Sequence, residues 1–576
     1  MTAITYSEGL AGFVDFGAED FNEGWIGGRE AGSRCAFHLD VRIDDVDAFV
    51  DDPDHEATCT GVIECDGLGG RLAIEAGWFN LLVDVGGPRH RHMDYRLHAR
   101  DAAGRPVTLL GFKDVHDDVL HDPWADTSTL FTRLYAGHVD ADERDRRLAA
   151  GVLRVTPAGF GRLMLSIRAD GGGTAARLLA KARWARLFAG RLARVYAGPA
   201  QEGQPDFPSP RPGTEPFQGF PAGAWHEVPE RPGLERRILP VRAGDGRLLT
   251  LHHVRRAGGP PPHRGPVLLA HGTGVRANLF YTPPLRTTLV DALLEAGHDV
   301  WLESWRGSID LDTCAYTLDQ VAVHDHPALV GAVLGETGAD RLKAVVHCQG
   351  STSFTMAALA GLLPQVTDIV SNAVSLHVDL TPASRRRLQL LVPVLHRFMP
   401  GMDPQWAIRP PAPPAALYAR TAELARRECR NPVCAVANFT YGPGADVLWR
   451  HENLTDATHA WISREFGWVP TSFFRQMRAC AAAGHLVSVD ERVSGLPEDF
   501  TTAPPRSDAR FTLLAGAENT CFLPAGQRRT HAWLRARRPD RAHALHVIPG
   551  YTHMDVFFGR DAPRDVFGLI IAAFDR

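Results

Sequence analysis

The chain has 576 residues, a formal net charge of −5 and a hydrophobic fraction of 44%. This length exceeds what one ordinary hydrophobic core organises, so we expect roughly two to four domains. The negative net charge and the lack of long runs of one sign exclude nucleic-acid binding through a basic surface.

The cysteines and the N-terminus favour a reducing compartment. Nine cysteines are scattered without a C-x-x-C pair, and Cys429 and Cys434 are interpreted as reduced thiols. The first residues carry neither a basic nor an apolar segment, and no stretch reaches the roughly 18 apolar residues that span a membrane. We therefore predict a cytoplasmic location with no transmembrane segment, and we expect no metal and no cofactor.

Residues 1–172 have the pattern of a β-rich domain. Apolar and polar residues alternate in short runs such as 36–43 and 95–99, and glycine-rich turns separate the runs. This spacing predicts an antiparallel sandwich or open barrel of roughly eight strands. His90 and His92 have no third ligand nearby in the sequence, so they are interpreted as surface residues rather than a metal site.

A basic segment and a proline-rich segment follow, within residues 173–234. The first predicts an amphipathic helix over 174–197, interpreted as packing on the sheet with its arginine face in solvent; a membrane-surface helix is the alternative. Residues 198–234 are rich in Pro and Gly and predict an interdomain linker.

From residue 235 the pattern changes to strands that alternate with helices. After a hairpin around 244–246, helices separate strands predicted at 266–270, 299–304, 343–347, 368–375, 510–515 and 543–548. The alternation over 235–576 predicts a mostly parallel sheet with helices on both faces. Residues 380–508 interrupt it, and we expect this insertion to form a helical cap over the carboxyl ends of the strands, where such sheets bind ligands.

The stretch 343–354 predicts a catalytic nucleophile. A short apolar run ends at His347, Cys348 follows, and a small-residue helix is predicted from 351 to 363. A strand that turns sharply into a helix with a nucleophile at its apex is the nucleophile elbow, usually written G-x-S-x-G. Cys348 stands at the nucleophile position, Gly350 fits the second small position, and Val346 fits the first one poorly. A buried structural cysteine at a strand end is the alternative.

A histidine and two backbone donors complete the predicted site. His553 follows the last predicted strand in a glycine-containing loop, where this kind of site presents its general base. We expect His553 to keep Cys348 partly ionised. The oxyanion would be bound by the backbone N–H groups of Gln349, the residue after the nucleophile, and of Thr273, in a glycine-flanked turn after strand 266–270.

The residue that orients His553 is open between three positions. Asn519 stands three residues after Gly516, where Asp is usual, and Asn can orient a histidine beside a cysteine nucleophile. Glu518 is adjacent and nearly as well placed, and Asp379 follows an earlier strand.

With these residues identified, residues 235–576 resemble the α/β-hydrolase superfamily with a cysteine nucleophile. More closely, they are similar to the hydrolase-like part fused to, or encoded beside, cholesterol-oxidase-type GMC oxidoreductases. The similarity rests on 299–308, 347–351, 550–555, Cys429 with Cys434, and, in the N-terminal part, 77–80, 111–114 and 122–130.

The resemblance implies a hydrolase-type activity on a small-molecule acyl substrate and an oxidoreductase of the same pathway as a partner. The chain has no G-x-G-x-x-G segment, so it carries no flavin-binding oxidase domain. A looser similarity is to polyhydroxyalkanoate synthases, which also use an elbow cysteine. They carry Asp where this chain has Asn519, which argues against that assignment.

Together the patterns predict an acyl-transfer enzyme. Cys348 would attack an ester or thioester, and attack of water on the thioester intermediate would give hydrolysis. The alternatives are an acyltransferase or condensing enzyme that passes the acyl group to an alcohol or amine, and a binding protein that kept the fold without catalysis.

Overall fold

The computed structural model describes residues 2–87, 90–116, 123–155, 157–196, 225–228, 231–409, 414–425, 430–442 and 447–575. The chain divides into two compact units, one formed by residues 1–211 with 406–419 and 429–432, the other by the remaining residues. Cys429 and most of the predicted linker 198–234 lie outside the described residues. Within the described ranges, no helix has both the length and the apolar character that crossing a membrane requires.

The N-terminal unit is built on an antiparallel β-barrel. Its strands are β1 (Ala3–Phe16), β2 (Arg34–Ile43), β3 (Glu56–Cys65), β4 (Gly70–Gly87), β5 (His90–Arg100), β6 (Pro106–His116), β7 (Thr129–Ala136), β8 (Arg147–Arg154) and β9 (Arg168–Asp170). Strands β2 to β8 pair in sequence order, and β1 pairs with both β2 and β8. Eight strands therefore close into a barrel. The sequence pattern is compatible with a sandwich or an open barrel. The barrel closes because β1 is long enough to pair with both β2 and β8.

Helices cover this barrel. They are α1 (Phe21–Ala31), α2 (Val46–Asp51), α3 (Pro123–Ser128), α4 (Pro157–Ser166) and α5 (Thr174–Tyr196). The predicted basic helix is α5, and its Trp184 belongs to the same apolar core as Phe37 and Leu39 of β2. The ring of Trp184 lies 5.8 Å from that of Tyr6 in β1. The helix thus packs on the barrel through its apolar side.

The strands of the C-terminal unit form one large sheet and a small ladder. They are β10 (His226–Glu227), β11 (Leu234–Arg242), β12 (Leu248–Arg256), β13 (Pro266–Ala270), β14 (Asp299–Ser304), β15 (Leu342–His347), β16 (Val366–Asn372), β17 (Gly401–Met402), β18 (Val469–Pro470), β19 (Arg510–Gly516) and β20 (Ala544–Ile548). The large sheet has the order β10-β11-β12-β14-β13-β15-β16-β19-β20, and β17 pairs with β18.

The large sheet has the arrangement of an α/β-hydrolase. The hairpin β11–β12 pairs antiparallel with β14, and β14, β13, β15, β16, β19 and β20 are parallel to one another. Parallel strands end at the same edge, so the loops that follow β13, β15, β16, β19 and β20 gather there. This confirms the predicted mostly parallel sheet.

Helices connect the strands of this sheet and fill the insertion. They are α6 (Leu289–Glu295), α7 (Leu318–Gln320), α8 (His326–Thr337), α9 (Cys348–Leu359), α10 (Pro382–Phe398), α11 (Ala415–Ala425), α12 (Pro432–Tyr441), α13 (Asp456–Trp461), α14 (Thr471–Ala483), α15 (Pro524–Arg537), α16 (Asp555–Phe558) and α17 (Gly568–Phe574). Helices α10 to α14 lie within the insertion 380–508, between β16 and β19. The insertion is helical, as its sequence predicts.

Candidate active site

Cys348 stands at the junction of β15 and α9, in the middle of the large sheet. Its φ is 54°, in the left-handed region that strains any residue with a side chain. The strand ends at His347 and the helix begins at Cys348 itself, three residues before the predicted start. This is the backbone geometry of a nucleophile elbow.

Small residues allow the elbow to pack against β13. A Cβ atom at Gly350 would lie 2.1 Å from the carbonyl oxygen of His271, so only glycine permits this approach. Val346 lies in register with Ala270 of β13 and Ser371 of β16. The small side chains of these two neighbours leave room for the branched one of Val346, which explains how the elbow accepts a residue that the motif disfavours.

The turn after β13 runs directly beside the nucleophile. A Cβ atom at Gly272 would lie 3.0 Å from Cys348 Cβ and 3.5 Å from its Sγ. Thr273 is the next residue in this turn, and Gln349 is the residue after the nucleophile. The turn that carries Thr273 therefore passes the sulfur at Gly272, and the Gln349 backbone N–H hydrogen-bonds to the Cys348 thiol. Donation by Thr273 and Gln349 to an oxyanion stays a prediction.

His553 lies in the loop after β20 with its side chain fully buried. Its Nδ1 is 3.1 Å from Asn519 Nδ2. One nitrogen of His553, one nitrogen of His347 and Cys348 Sγ lie within 4.8 Å of one another. His553 Nε2 is buried and has no hydrogen-bond partner among the described residues. The thiol and the imidazole are thus neighbours that do not hydrogen-bond to each other in this structure.

Burial sets the charge state of this pair. It raises the pKa of the Cys348 thiol to about 12, against the opposing effect of a hydrogen bond from the Gln349 backbone N–H. It lowers the pKa of His553 to about 3. Both groups are neutral at neutral pH, because desolvation disfavours the charged form of each. The expectation of a partly ionised Cys348 is therefore wrong for the resting site.

Asn519 meets His553 with its amide nitrogen. The Asn519 Oδ1 accepts hydrogen bonds from the backbone N–H groups of Cys521 and Phe522, each at 3.0 Å. This leaves Nδ2 to donate to the ring, so Nδ1 of His553 is an acceptor and the neutral ring carries its proton on Nε2. A general base in such a site needs the opposite tautomer, with its proton on Nδ1.

The other two candidates for orienting His553 lie elsewhere. Glu518 is exposed, and its Oε1 accepts a hydrogen bond from the backbone N–H of Gly550 at 3.0 Å. Asp379 forms an ion pair with Arg529 at 3.2 Å. Of the three candidates, Asn519 alone hydrogen-bonds to the His553 ring.

Two residues of the site were not identified from the sequence. Asn372 ends β16, and its Nδ2 donates to His347 Nδ1 and to the carbonyl oxygen of His553, both at 2.9 Å. The rings of His347 and His553 are 4.9 Å apart. His347 and Asn372 are the last residues of adjacent parallel strands and are in register. Polar residues at such paired strand ends are the signal that could have revealed them.

Groups of potential metal ligands occur in three places in the described residues: His347 with Cys348 and His553, Cys434 with His451 and His459, and His90 with His92 and Asp114. In the last group, His90 Nε2 lies 2.6 Å and His92 Nε2 3.6 Å from Asp114 Oδ1. The structure thus places a third potential ligand, Asp114, beside His90 and His92, and their interpretation as residues outside a metal site stays a prediction. Asp114 lies on β6 directly opposite His92, a cross-strand neighbour that sequence proximity does not reveal.

Comparisons with known proteins find partial similarity to lipases. No family model matches the chain. The chain is 31% identical to Lipase 1 of Drosophila melanogaster over 133 residues, which are 21% of this chain and 29% of that lipase. It is 29% identical to human lysosomal acid lipase/cholesteryl ester hydrolase over 126 residues, 19% of this chain and 32% of that protein. The match spans about a third of the length of these relatives.

Two solved structures align with part of the chain at low identity. A thermophilic esterase from Thermogutta terrifontis aligns with 58% of this chain and 96% of its own, at 13% identity and a TM-score of 0.34. An epoxide hydrolase from Vigna radiata aligns with 60% and 98%, at 14% identity and a TM-score of 0.37. The strand order of the large sheet is that of the α/β-hydrolase fold, and the partial similarity to lipases agrees with this fold.

Proposed function

We propose that the chain is an acyl-transfer enzyme, in its simplest form an ester hydrolase, with Cys348 as nucleophile and His553 as proton carrier. The observation that carries this is the left-handed φ of 54° at Cys348, beside the Gly272 turn and the His553 ring. Strained residues of this kind persist where the surrounding structure enforces them, and they cluster at active sites. The similarity to lipases supports an ester as the substrate class.

The chemistry follows from these positions. Cys348 Sγ forms a bond to the acyl carbon while the thiol proton moves to His553. The negative charge that develops on the acyl oxygen would be bound by the backbone N–H groups of Gln349 and Thr273. When the bond to the leaving group breaks, the proton on His553 passes to that group. Attack on the thioester by water then releases the acid and restores the thiol.

Asn519 adds a cost to the first step. For His553 to take the thiol proton on Nε2, its own proton must sit on Nδ1, and Asn519 must present an oxygen there. Rotating the amide breaks the hydrogen bonds from Cys521 and Phe522 to Oδ1. At about 1 kcal/mol for each bond, the reactive arrangement lies about 2 kcal/mol above the resting one. A carboxylate at this position would avoid that cost, because its two oxygens can accept from both sides.

The insertion 380–508 is our candidate for the substrate-selecting cap. Tyr441, at the end of α12, donates from its hydroxyl to the carbonyl oxygen of Thr273 at 3.2 Å. A Cβ atom at Gly274, the next residue, would lie 2.3 Å from a methyl group of Val469 in β18. These contacts of Tyr441 and Val469 with the turn Gly272–Gly274 support the proposal that the insertion would meet the acyl group of a bound substrate.

The acceptor in the second half of the reaction distinguishes the alternatives. An alcohol or amine in place of water would make the chain an acyltransferase or condensing enzyme, and thioesters react readily with amines. Cys348, His347 and His553 are all buried, so any acceptor must enter a site shielded from bulk water. An oxidoreductase that shares the substrate stays a prediction of the sequence resemblance.

A binding protein on the same fold is the second candidate. It is favoured by the orientation of Asn519, which holds His553 in the non-basic tautomer, and by the neutral state of Cys348. Such a site would bind an acyl compound without turning it over.

Steady-state rates on a graded series of p-nitrophenyl esters and acyl thioesters, with and without an amine acceptor, test the proposal. We expect turnover of at least one ester, and an amide product only if the chain is a transferase. Binding of these compounds without turnover under any condition would contradict the enzyme proposal and support the binding protein.

A further inference from the structure

Three side chains outside the proposed active site converge within the insertion. Cys434 lies on α12, His451 in the 3₁₀ turn His451–Asn453, and His459 on α13. Cys434 Sγ is 3.3 Å from His451 Nε2, and the two imidazole rings are 5.1 Å apart. One ligand atom from each residue lies within 4.8 Å of the other two.

The geometry points to a metal site. We propose that Cys434, His451 and His459 bind a divalent transition-metal ion of the zinc class, and that the ion stabilises the segment 447–453. Thiolate and imidazole are the ligands that Zn²⁺ prefers, at about 2.3 Å and 2.0–2.1 Å. Those bond lengths place tetrahedral ligand atoms roughly 3.5 Å apart. The ligand atoms of Cys434, His451 and His459 lie within 4.8 Å of one another, so small side-chain movements would bring them to this separation. A water molecule would complete a four-coordinate site.

An asparagine amide supports the sulfur of Cys434. Asn438, one turn further along α12, directs its Nδ2 at Cys434 Sγ at 3.5 Å and at the Cys434 carbonyl oxygen at 3.0 Å. Its orientation is fixed, because its Oδ1 accepts a hydrogen bond from the backbone N–H of Leu448 at 2.9 Å. An N–H group directed at sulfur stabilises a metal-bound thiolate and holds it in place. Metal binding would release the thiol proton to solvent.

A hydrogen-bonded thiol–imidazole pair is the simpler explanation of part of this cluster. It accounts for Cys434 and His451, which lie at hydrogen-bond distance for sulfur. It does not require His459, which comes from a different helix and also reaches the same point. His451 and His459 are half-buried, which leaves a route for an ion to enter.

The segment that carries His451 contacts the loop that carries His553. Asn453 Nδ2 donates to Asp555 Oδ2 and to the carbonyl oxygen of Gly550, both at 2.7 Å. The backbone N–H of Met554 donates to the carbonyl oxygen of Leu448 at 2.8 Å. An ion bound by His451 would therefore also restrain the residues on either side of His553.

Cobalt binding to the full-length Cys348→Ala variant tests the site without relying on enzyme activity. This background removes the sulfur of the active-site group, and the His90 group contains none, so a thiolate-to-cobalt charge-transfer band reports on Cys434 among the three groups. We expect one cobalt per chain, a tetrahedral visible spectrum and this band. Zn²⁺ should displace the cobalt. Cys434→Ser should abolish the band, and His459→Gln should lower cobalt affinity at least about tenfold.

Cys314→Ser and His263→Gln, on residues that belong to none of the three groups, are the matched controls and should retain the band. Hydrogen exchange with and without Zn²⁺ should show added protection in 447–453 and 550–555. A folded Cys348→Ala protein without the band would overturn the proposal, as would a band that survives Cys434→Ser. Unchanged affinity in His459→Gln would reduce the cluster to a thiol–imidazole pair. If Zn²⁺ left hydrogen exchange in 447–453 unchanged, the proposal that the ion stabilises this segment would be refuted.

Discussion

Two cysteine–histidine clusters in the same unit differ in how the sulfur meets the ring. Cys348 and His553 are both buried, and His553 Nε2 has no hydrogen-bond partner among the described residues. Cys434 and the half-buried His451 are in contact, with 3.3 Å between Sγ and Nε2. Cys348, whose backbone is strained, therefore makes no hydrogen bond to His553. Cys434, whose backbone is not strained, lies at hydrogen-bond distance from His451.

An asparagine side chain contacts each cluster. The Oδ1 of Asn519 and that of Asn438 are both occupied by backbone N–H groups, so each amide directs its Nδ2 at the cluster. Asn519 donates to the His553 ring and fixes the proton on Nε2, which disfavours a base. Asn438 donates to sulfur, which favours a thiolate ligand. The same type of side chain thus donates to the ring of the proposed catalytic pair in one place and to the sulfur of the proposed metal site in the other.

The largest expected effect is on turnover. Cys348→Ala should lower kcat on the best ester by at least about 10⁴-fold, because no other group can form the acyl intermediate. Cys314→Ser, which changes a half-buried cysteine that belongs to neither cluster, should leave kcat within about twofold of the unchanged protein. If freshly purified, folded Cys348→Ala retained turnover, Cys348 would not be the nucleophile.

Acid should destabilise the folded protein because His553 is buried in its neutral form. Burial lowers the pKa of His553 to about 3, below the ordinary value of 6.5, so between these pH values the unfolded chain binds more protons. The free energy of unfolding should therefore fall as pH drops from 7 to 5, by about 2 kcal/mol from this residue. Denaturant titrations of the unchanged protein and of His553→Gln measure this. An equal loss in both proteins would show that His553 is not held neutral by burial.

The orientation of Asn519 predicts a gain of activity. Asn519→Asp can accept from Cys521, Phe522 and His553 Nδ1–H together, so kcat should rise by about 30-fold, the equivalent of about 2 kcal/mol. Asn519→Ala should lower kcat by about one to three decades, since it leaves the ring unoriented. A fall in kcat for Asn519→Asp, with the fold intact by circular dichroism, would mean that the amide donor is itself needed.

The smallest expected effect concerns the second cluster. Asn438→Ala should weaken Zn²⁺ binding by about tenfold without abolishing it, because the three ligands stay in place and only the support of the sulfur is lost. Competition with a chromogenic chelator gives the affinity. If Asn438→Ala binds Zn²⁺ as tightly as the unchanged protein, the amide contributes nothing to the thiolate.

Much of the large sheet could be predicted from the sequence for a physical reason. Strands β13 and β14 were predicted at their observed bounds, because buried parallel strands form short apolar runs that end at polar residues or turns. Cys348, His553 and the turn with Thr273 follow such strands, so their approach could also be predicted. Helix α6 begins at Leu289, because the side chain of Thr288 accepts a hydrogen bond from Asp291 N–H and caps the helix.

The rest of the site depends on tertiary contacts that have no local sequence signal. Asn372 reaches His347 only because β16 is the spatial neighbour of β15. The direction of the Asn519 amide depends on which backbone groups surround its oxygen. The ligands Cys434, His451 and His459 come from three elements of an insertion without a repeating pattern, so nothing in their spacing indicates that they meet.

The most direct test of the central claim is the mass of the protein during turnover, followed by peptide mapping. After brief incubation with an activated ester or thioester and an acid quench, the account predicts one added acyl group, located on the peptide that contains Cys348 and absent from Cys348→Ala. An adduct on the peptide that contains Cys434 instead, or turnover without any acyl adduct at Cys348, would contradict it.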